Sequence, residues 1–216
     1  IKRKKTEVPL TQRQKDLVYG SLMGDAKALS FSSVAFKHGT DQEAYLRWKY
    51  IEMESVASPH SLQYHHYLSK MGKPCVSHAF YTWANSDVEE ILQKFYGNGE
   101  KEITKDILDN LSDFSVAVWY MDDGFCSHGA RHILNRGYKP QPSHVFCTEC
   151  FTKNSCELMK DWFDEKWDIK TRLKDRTLKN KIGYRLVVKP ESWRDFRNLV
   201  RPYIIPSMWY KIDLKS

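Results

Sequence analysis

Two stretches decide how this chain is read: Val18-Tyr-Gly-Ser-Leu-Met-Gly-Asp25-Ala26 and Val116-Ala-Val-Trp-Tyr-Met-Asp-Asp123-Gly124. They align without a gap, and each ends a helical run on an acidic residue followed by a small one. A helix C-terminus already carries partial negative charge, so Asp25, Asp122 and Asp123 each stand there at a cost of about 0.3–1 kcal/mol. A cation should offset them, and a divalent metal held by one carboxylate from each helix would do so. Gly20 and Gly24, at i and i+4, give the first helix a small face that lets another backbone approach. In the second helix Val118 takes the place of Gly20, and only Ser115 and Ala117 are small.

Working outward, the basic run Lys2-Arg3-Lys4-Lys5 opens an arm over residues 1–10, and Thr11-Gln-Arg-Gln14 reads as a capping box for the first helix. Beyond Asp25, residues 29–38 read as a strand, Gly39-Thr40-Asp41 as a turn, and residues 42–56 as a helix. Residues 73–84 read as further strand. Ser86 then caps a helix with Val88, Ile91, Leu92 and Phe95 at helical spacing, closed by Gly97-Asn98-Gly99.

The second half repeats this order. A helix from about Phe114 ends at Asp123-Gly124, and strands are expected over 131–139 and 143–150. A helix over 153–167 presents Leu158, Met159, Trp162 and Phe163. A hairpin follows, with its turn near 179–183 and its second arm over 184–188, and Ser192 caps a last helix. There Trp193, Phe196 and Val200 take the places of Val88, Ile91 and Phe95. The reading is two pseudo-repeats, 11–101 and 112–211, packed as one α+β molecule because no long polar linker separates them.

Composition narrows the function. The 34 basic and 27 acidic residues leave a formal charge of +7, which suits a polyanionic partner without identifying one. No stretch approaches the run of about 18 apolar residues that a membrane helix needs, and the N-terminus lacks the apolar core of a secretory signal. Five cysteines, an odd number, suit reduced thiols in an intracellular compartment. Cys147-x-x-Cys150, with His144 and Cys156 nearby, does not read as a zinc site. Strand character would send Cys147 and Cys150 to opposite faces, and no second Cys-x-x-Cys completes four ligands. His65, His66, His128 and His132 read as surface polar groups.

On its two acidic stretches the chain resembles the LAGLIDADG homing endonucleases in their single-chain, two-motif form. Asp25 and Asp123 fall on the family's catalytic acidic position, and Met23 and Met121 on its other Asp. The similarity continues through Glu43-Ala-Tyr45 and Pro202-Tyr-Ile-Ile-Pro-Ser-Met-Trp-Tyr-Lys211 and covers nearly the whole chain. It implies an α+β fold whose motif helices pack at a pseudo-twofold axis, with two antiparallel sheets forming a saddle over double-stranded DNA. The activity implied is metal-dependent cleavage of both strands of a long asymmetric site by a monomer, across the minor groove, leaving short 3′ overhangs.

Under that resemblance Asp25 and Asp123 are metal ligands, with Gly24 and Asp122 beside them in the metal environment; Asp122 either shapes the second site or caps the turn. Mg2+ is the expected ion, Mn2+ substitutes, and Ca2+ supports binding only. Lys101 and Lys211, each following the last helix of its repeat, are expected to act electrostatically or to position water. Lys170, Arg172, Lys174 and Arg176 alternate along one hairpin arm and, with Arg185, would contact phosphates or base edges. A solvated edge strand guarded by charge would show the same alternation. Intron RNA is a second expected partner, because some members of the fold assist splicing and others act as regulators without cutting. An organelle, a prokaryotic cell and a phage-infected cytoplasm suit the sequence equally well.

Overall fold

Thr11 begins the first helix as the sequence predicts. Its hydroxyl accepts the Gln14 amide N–H at 3.2 Å while the Gln14 side-chain oxygen accepts the Thr11 N–H at 3.0 Å, which satisfies two otherwise orphaned donors. The computed structural model describes residues 6–59, 61–68, 72–127, 143–178 and 181–212. The basic run Lys2–Lys5, the strand expected over 131–139, His128, His132 and the first residues of the hairpin turn lie outside them.

The first repeat runs α1 (Gln12–Met23), β1 (Lys27–Ser30), β2 (Ser33–Gly39), α2 (Glu43–Glu52), β3 (Gln63–Leu68), β4 (Pro74–Tyr81) and α3 (Ser86–Tyr96). A short helix, α4 (Lys105–Asp109), which the sequence does not announce, leads into α5 (Asp113–Asp123), β5 (Gly124–Ser127), β6 (Ser143–Phe146), α6 (Lys153–Trp167), β7 (Thr171–Leu178), β8 (Lys181–Val188) and α7 (Trp193–Val200). Each repeat builds one four-stranded antiparallel sheet, and the orders, β1-β2-β4-β3 and β5-β6-β8-β7, are the same walk repeated.

Several boundaries differ from expectation. The single strand read over 29–38 is a hairpin that turns at Phe31-Ser32, and β3 is an addition to the expected strands. The second helix stops at Glu52, short of 56. Asn85, not Ser86, caps α3, its side chain accepting from the N–H groups of Asp87 and Val88. Ser192 makes no capping bond; its hydroxyl accepts the Lys170 N–H at 2.9 Å and ties the start of β7 to the last helix. Strand β6 ends at Phe146, so Cys147 and Cys150 lie beyond it, half-buried and exposed respectively.

The core forms where the sheets' inner faces meet the helices. Val34, Phe36 and Phe80 point inward from the first sheet, and Phe146, Leu186 and Val188 from the second. Phe36 stacks on Phe80 with centroids 4.6 Å apart, and Phe146 meets Trp119 of α5 at 4.3 Å. Each such fully buried side chain contributes about 1.5–3 kcal/mol against exposure. The inner faces hold α1 and α5 side by side at the joint between the repeats.

Candidate functional site

The joint requires two glycines. A Cβ on Gly20 would lie 2.3 Å from the Ser115 carbonyl oxygen and 2.9 Å from the Val118 Cβ, and one on Gly24 would lie 2.4 Å from the Asp122 Cβ. The imperfect symmetry read from the sequence is thus complementary: the small face of α1 receives the larger residues of α5. The crossing brings both helix C-termini to one place, with Asp25, Asp122 and Asp123 around it and no basic residue in the last turn of either helix.

Cations reach this acidic centre from elsewhere in the chain. Lys49 of α2 is fully buried, and its ammonium donates to both Asp122 carboxylate oxygens at 2.7 and 3.0 Å. Burial pushes the Lys49 amine down and Asp122 opposes that shift. The same carboxylate accepts the Asp25 N–H at 3.2 Å, so Asp122 joins the two motif helices directly. Lys211 ends a short 3-10 helix, Pro206–Lys211, and its ammonium donates to the Asp122 carbonyl oxygen at 2.8 Å. Lys101, half-buried, lies over the Phe151 ring at 5.3 Å and feels the charges of Cys150 and then of Asp123 and Asp122. Burial lowers the pKa of both lysines; Cys150 and then Asp123 partly offset this for Lys101, and Asp122 and then Asp25 for Lys211.

The two family-position acids respond in the opposite direction. Burial raises the Asp123 carboxyl to about 7, with Asp25 and then Asp122 adding to the shift and Lys211 and Lys101 opposing it. Asp25 is raised by partial burial first and by Asp122 second. Such carboxylates, raised by burial and then by neighbouring acids, gain most from a cation that binds their ionised forms. Asp25 and Asp123 with the adjoining backbone therefore suit a divalent metal; the oxygen-only donor set is that of Mg2+ or Mn2+. Asp122, grouped with them on sequence grounds, already has an ammonium on both oxygens.

His38 has no counterpart in the sequence expectations. It is buried between the acids, Nδ1 lying 3.6 Å from Asp25 and 3.0 Å from the Gln42 side-chain oxygen, and Nε2 lying 3.7 Å from Asp122. Burial and then Lys49 push its pKa down to about 4, so the ring is neutral. Asp25, His38 and Asp122 could together offer three ligand atoms within 4.8 Å, but an ion there would sit against the Lys49 ammonium. Lys49 and His38 are hidden from sequence reading because Asp122, the partner they share, lies far along the chain; a lysine on a helix ordinarily reads as a solvated face.

The basic row also resolves. Arg172, Lys174 and Arg176 lie on β7 opposite Val187, Arg185 and Gly183 of β8, so Arg172, Lys174, Arg176 and Arg185 share the outer face of the second sheet with Phe125, Val145 and Val187. Lys174 directly opposite Arg185 is a like-charge pair, unfavourable unless an anion intervenes. Glu149 meets part of that need, pairing with Arg185 and, at 3.5 Å, with Arg176. Arg172 and Lys174 form no ion pair among the described residues. Lys170 departs from the row: it precedes the strand, and its ammonium pairs with Asp164 and, at 3.0 Å, with Asp168. The first sheet presents an equivalent outer face that sequence reading misses. Lys27, Lys37, Gln63, His65 and Tyr67 line it, with the Lys37 ammonium 5.3 Å above the Tyr67 ring.

A pseudo-twofold α+β scaffold, with an acid and a half-buried or buried lysine from each repeat at the joint, defines a narrow class of protein. The chain belongs to the LAGLIDADG DNA endonuclease family, whose model matches residues 15–196. It is 28% identical over 211 residues to the protein RecA of Mycobacterium gastri, a match covering 94% of this chain and 48% of that protein; the chain thus spans about half the length of several relatives. It is 27% identical over 219 residues to the DNA endonuclease I-ChuI of Chlamydomonas applanata, covering 94% of this chain and 96% of that one. The cytochrome b mRNA maturase bI2 of Debaryomyces hansenii is 27% identical over 216 residues, covering 94% and 75%. The homing endonuclease I-WcaI, solved bound to its DNA recognition sequence, superposes with a TM-score of 0.80 at 24% identity over 97% of this chain and 89% of that one, which establishes the shared fold. Among the described residues no helix is long and apolar enough to cross a membrane.

Proposed function

We propose that the chain is a site-specific endonuclease acting as a monomer on a long asymmetric stretch of double-stranded DNA, cutting both strands to leave short 3′ overhangs. One observation carries this reading: each repeat delivers one raised carboxyl, Asp25 or Asp123, to the joint, and each supplies one lysine, Lys101 or Lys211, whose charge acts on Asp123. Two phosphodiester bonds on two strands call for two such centres. A divalent metal, Mg2+ or Mn2+, would be held by Asp25 and Asp123 with the Gly24 backbone beside it, and would supply charge neutralisation and an activated water.

The chain's own residues do the rest. Lys101 and Lys211, their charges crowded by burial, place positive potential where phosphate charge builds up and can hold water by hydrogen bond. The outer sheet faces, with Arg172, Lys174, Arg176 and Arg185 on one side and Lys27 and Lys37 on the other, would grip the phosphates and read base edges. The maturase among the relatives favours a second reading, in which the same faces bind intron RNA. Retention of both acids argues against a purely regulatory binder.

The test is cleavage of a randomised library of duplex sites in Mg2+, from which an active site sequence is recovered. On that DNA Asp25→Asn and Asp123→Asn should each lower double-strand cleavage by orders of magnitude while affinity in Ca2+ stays within a few-fold. Wild-type cutting by either variant would refute the assignment, and cleavage by none of the proteins together with tight intron RNA binding would favour the splicing reading.

A further inference from the structure

The two repeats follow the same order of elements and of strands, and one difference between them is paired. Helices α2 and α6 begin the same number of residues after the central phenylalanines of their sheets, Phe36 and Phe146, so Lys49 and Met159 are equivalent, each the seventh residue of its helix. Asp122 is likewise equivalent to Gly24. One repeat has glycine at the motif end and supplies a buried lysine from its sheet-packed helix; the other has an acid at the motif end and supplies a methionine. The departures meet each other: Lys49 and Asp122, both with fully buried side chains, pair across the joint at 2.7 Å.

A buried ion pair is seldom the most stable filling of such a space, since an apolar pair of similar volume does at least as well. What Asp122 provides that an apolar residue would not is an acceptor. Its Oδ2 takes the N–H of Asp25, at the point where α1 has ended and the chain turns into β1. No such side-chain bond can serve Asp123 in return, because the residue equivalent to Asp122 is Gly24; Asp123 instead closes α5, and its carbonyl oxygen accepts the Cys147 N–H at 3.0 Å. Building on the endonuclease reading above, we propose that Lys49 and Asp122 are positioning residues for one of the two catalytic centres: Asp122 fixes the backbone at Asp25, and Lys49 supplies the charge that lets an acid stand there. The two catalytic carboxylates are therefore fixed by different contacts, and only the one at Asp25 depends on the Lys49–Asp122 pair.

Two double variants separate positioning from plain stability, because both remove the buried charges together. Lys49→Met with Asp122→Ala removes the acceptor as well; Lys49→Met with Asp122→Asn keeps an oxygen for the Asp25 N–H. In the metal-free protein, hydrogen exchange at the Asp25 amide should speed by about tenfold or more in the alanine double and return toward wild type in the asparagine double. On plasmid carrying the selected site, with each strand labelled, the alanine double should cut one strand about tenfold or more slowly and leave the other within a few-fold, since small misplacements of a reacting group cost rate steeply. The asparagine double should restore the strand ratio, and both should keep wild-type affinity for that DNA in Ca2+. If the two doubles match in amide exchange and in strand ratio, or if both strands slow equally, the positioning role is wrong and the pair is only structural. If the wild-type protein cuts no DNA, the endonuclease reading fails while amide exchange still decides what Asp122 does to Asp25.

Discussion

Tyr120 has one hydroxyl proton and two close partners. It donates to the Lys211 carbonyl oxygen at 2.8 Å, so the bond at 2.9 Å to His144 must run the other way, with Nδ1–H of the neutral imidazole donating to the phenol oxygen. Burial, with Arg197 adding to it, pushes His144 down to about 4, well below the ordinary 6.5. In the unfolded chain the ring takes a proton near pH 6.5 and in the folded protein only near 4. Its contribution to stability is therefore complete above about pH 6.5 and lost as pH falls toward 4. His38 acts in the same sense over the same window. Replacing His144 by valine, the residue at the equivalent place in the first repeat, Val34, should flatten the acid limb of a stability profile measured by urea titration between pH 4 and 7. An unchanged limb would mean that His144 does not titrate in this window. The chain from Tyr120 to the Lys211 backbone also explains how a lysine near the C-terminal end of the described residues is held at the joint.

At the scale of elements, the α1–α5 crossing depends on glycine more than on hydrophobic patterning. Gly20→Ala would press a methyl group against the Ser115 carbonyl and Val118, and overpacking of this kind costs about 1–3 kcal/mol or more. In a chain of this size that lowers Tm by about 2–4 °C per kcal/mol. Gly39→Ala is the control: a Cβ there meets nothing within 4 Å and the backbone is extended, so its Tm should match wild type. Thermal unfolding followed by circular dichroism compares them, and equal melting would show that the crossing has slack. The longer helices, unlike the five-residue α4, are legible in the sequence because caps and apolar period are local: Thr11 and Gln14 mark one end of α1, and the apolar period over 153–167 matches α6 at both ends. The β1–β2 turn is not legible, since Phe31-Ser32 lacks glycine or proline, and β3, Gln-Tyr-His-His-Tyr-Leu, is exposed at every position and shows no apolar alternation. The acids and lysines of the site show themselves through repetition; Lys49 and His38 have no repeated counterpart and emerge only from their neighbours across the joint.

Over the whole molecule, the net positive charge is deployed as surfaces. On the second sheet Arg172 and Lys174 have no carboxylate partner among the described residues, whereas Lys170 is held by Asp164 and Asp168. Charge reversal at Arg172 or Lys174 should weaken DNA binding and reduce the slope of log affinity against log salt by roughly 0.9 for each phosphate that is no longer neutralised. Lys170→Ala should leave that slope unchanged. Fluorescence anisotropy in Ca2+ across a salt series measures both, and equal effects at 170 and 172 would return the strand to the solvated-edge reading.

The Lys49–Asp122 pair has a consequence for which halves can assemble with which. Two copies of the first repeat, joined through α1, would bury two lysines with no acid between them, because the position that should answer Lys49 is Gly24. Two copies of the second would bury two carboxylates facing Met159. Only the mixed arrangement neutralises both, and an unpaired buried charge is costly enough to exclude the others. The joint thus encodes its own partner choice: each half is complementary to the other and not to a second copy of itself.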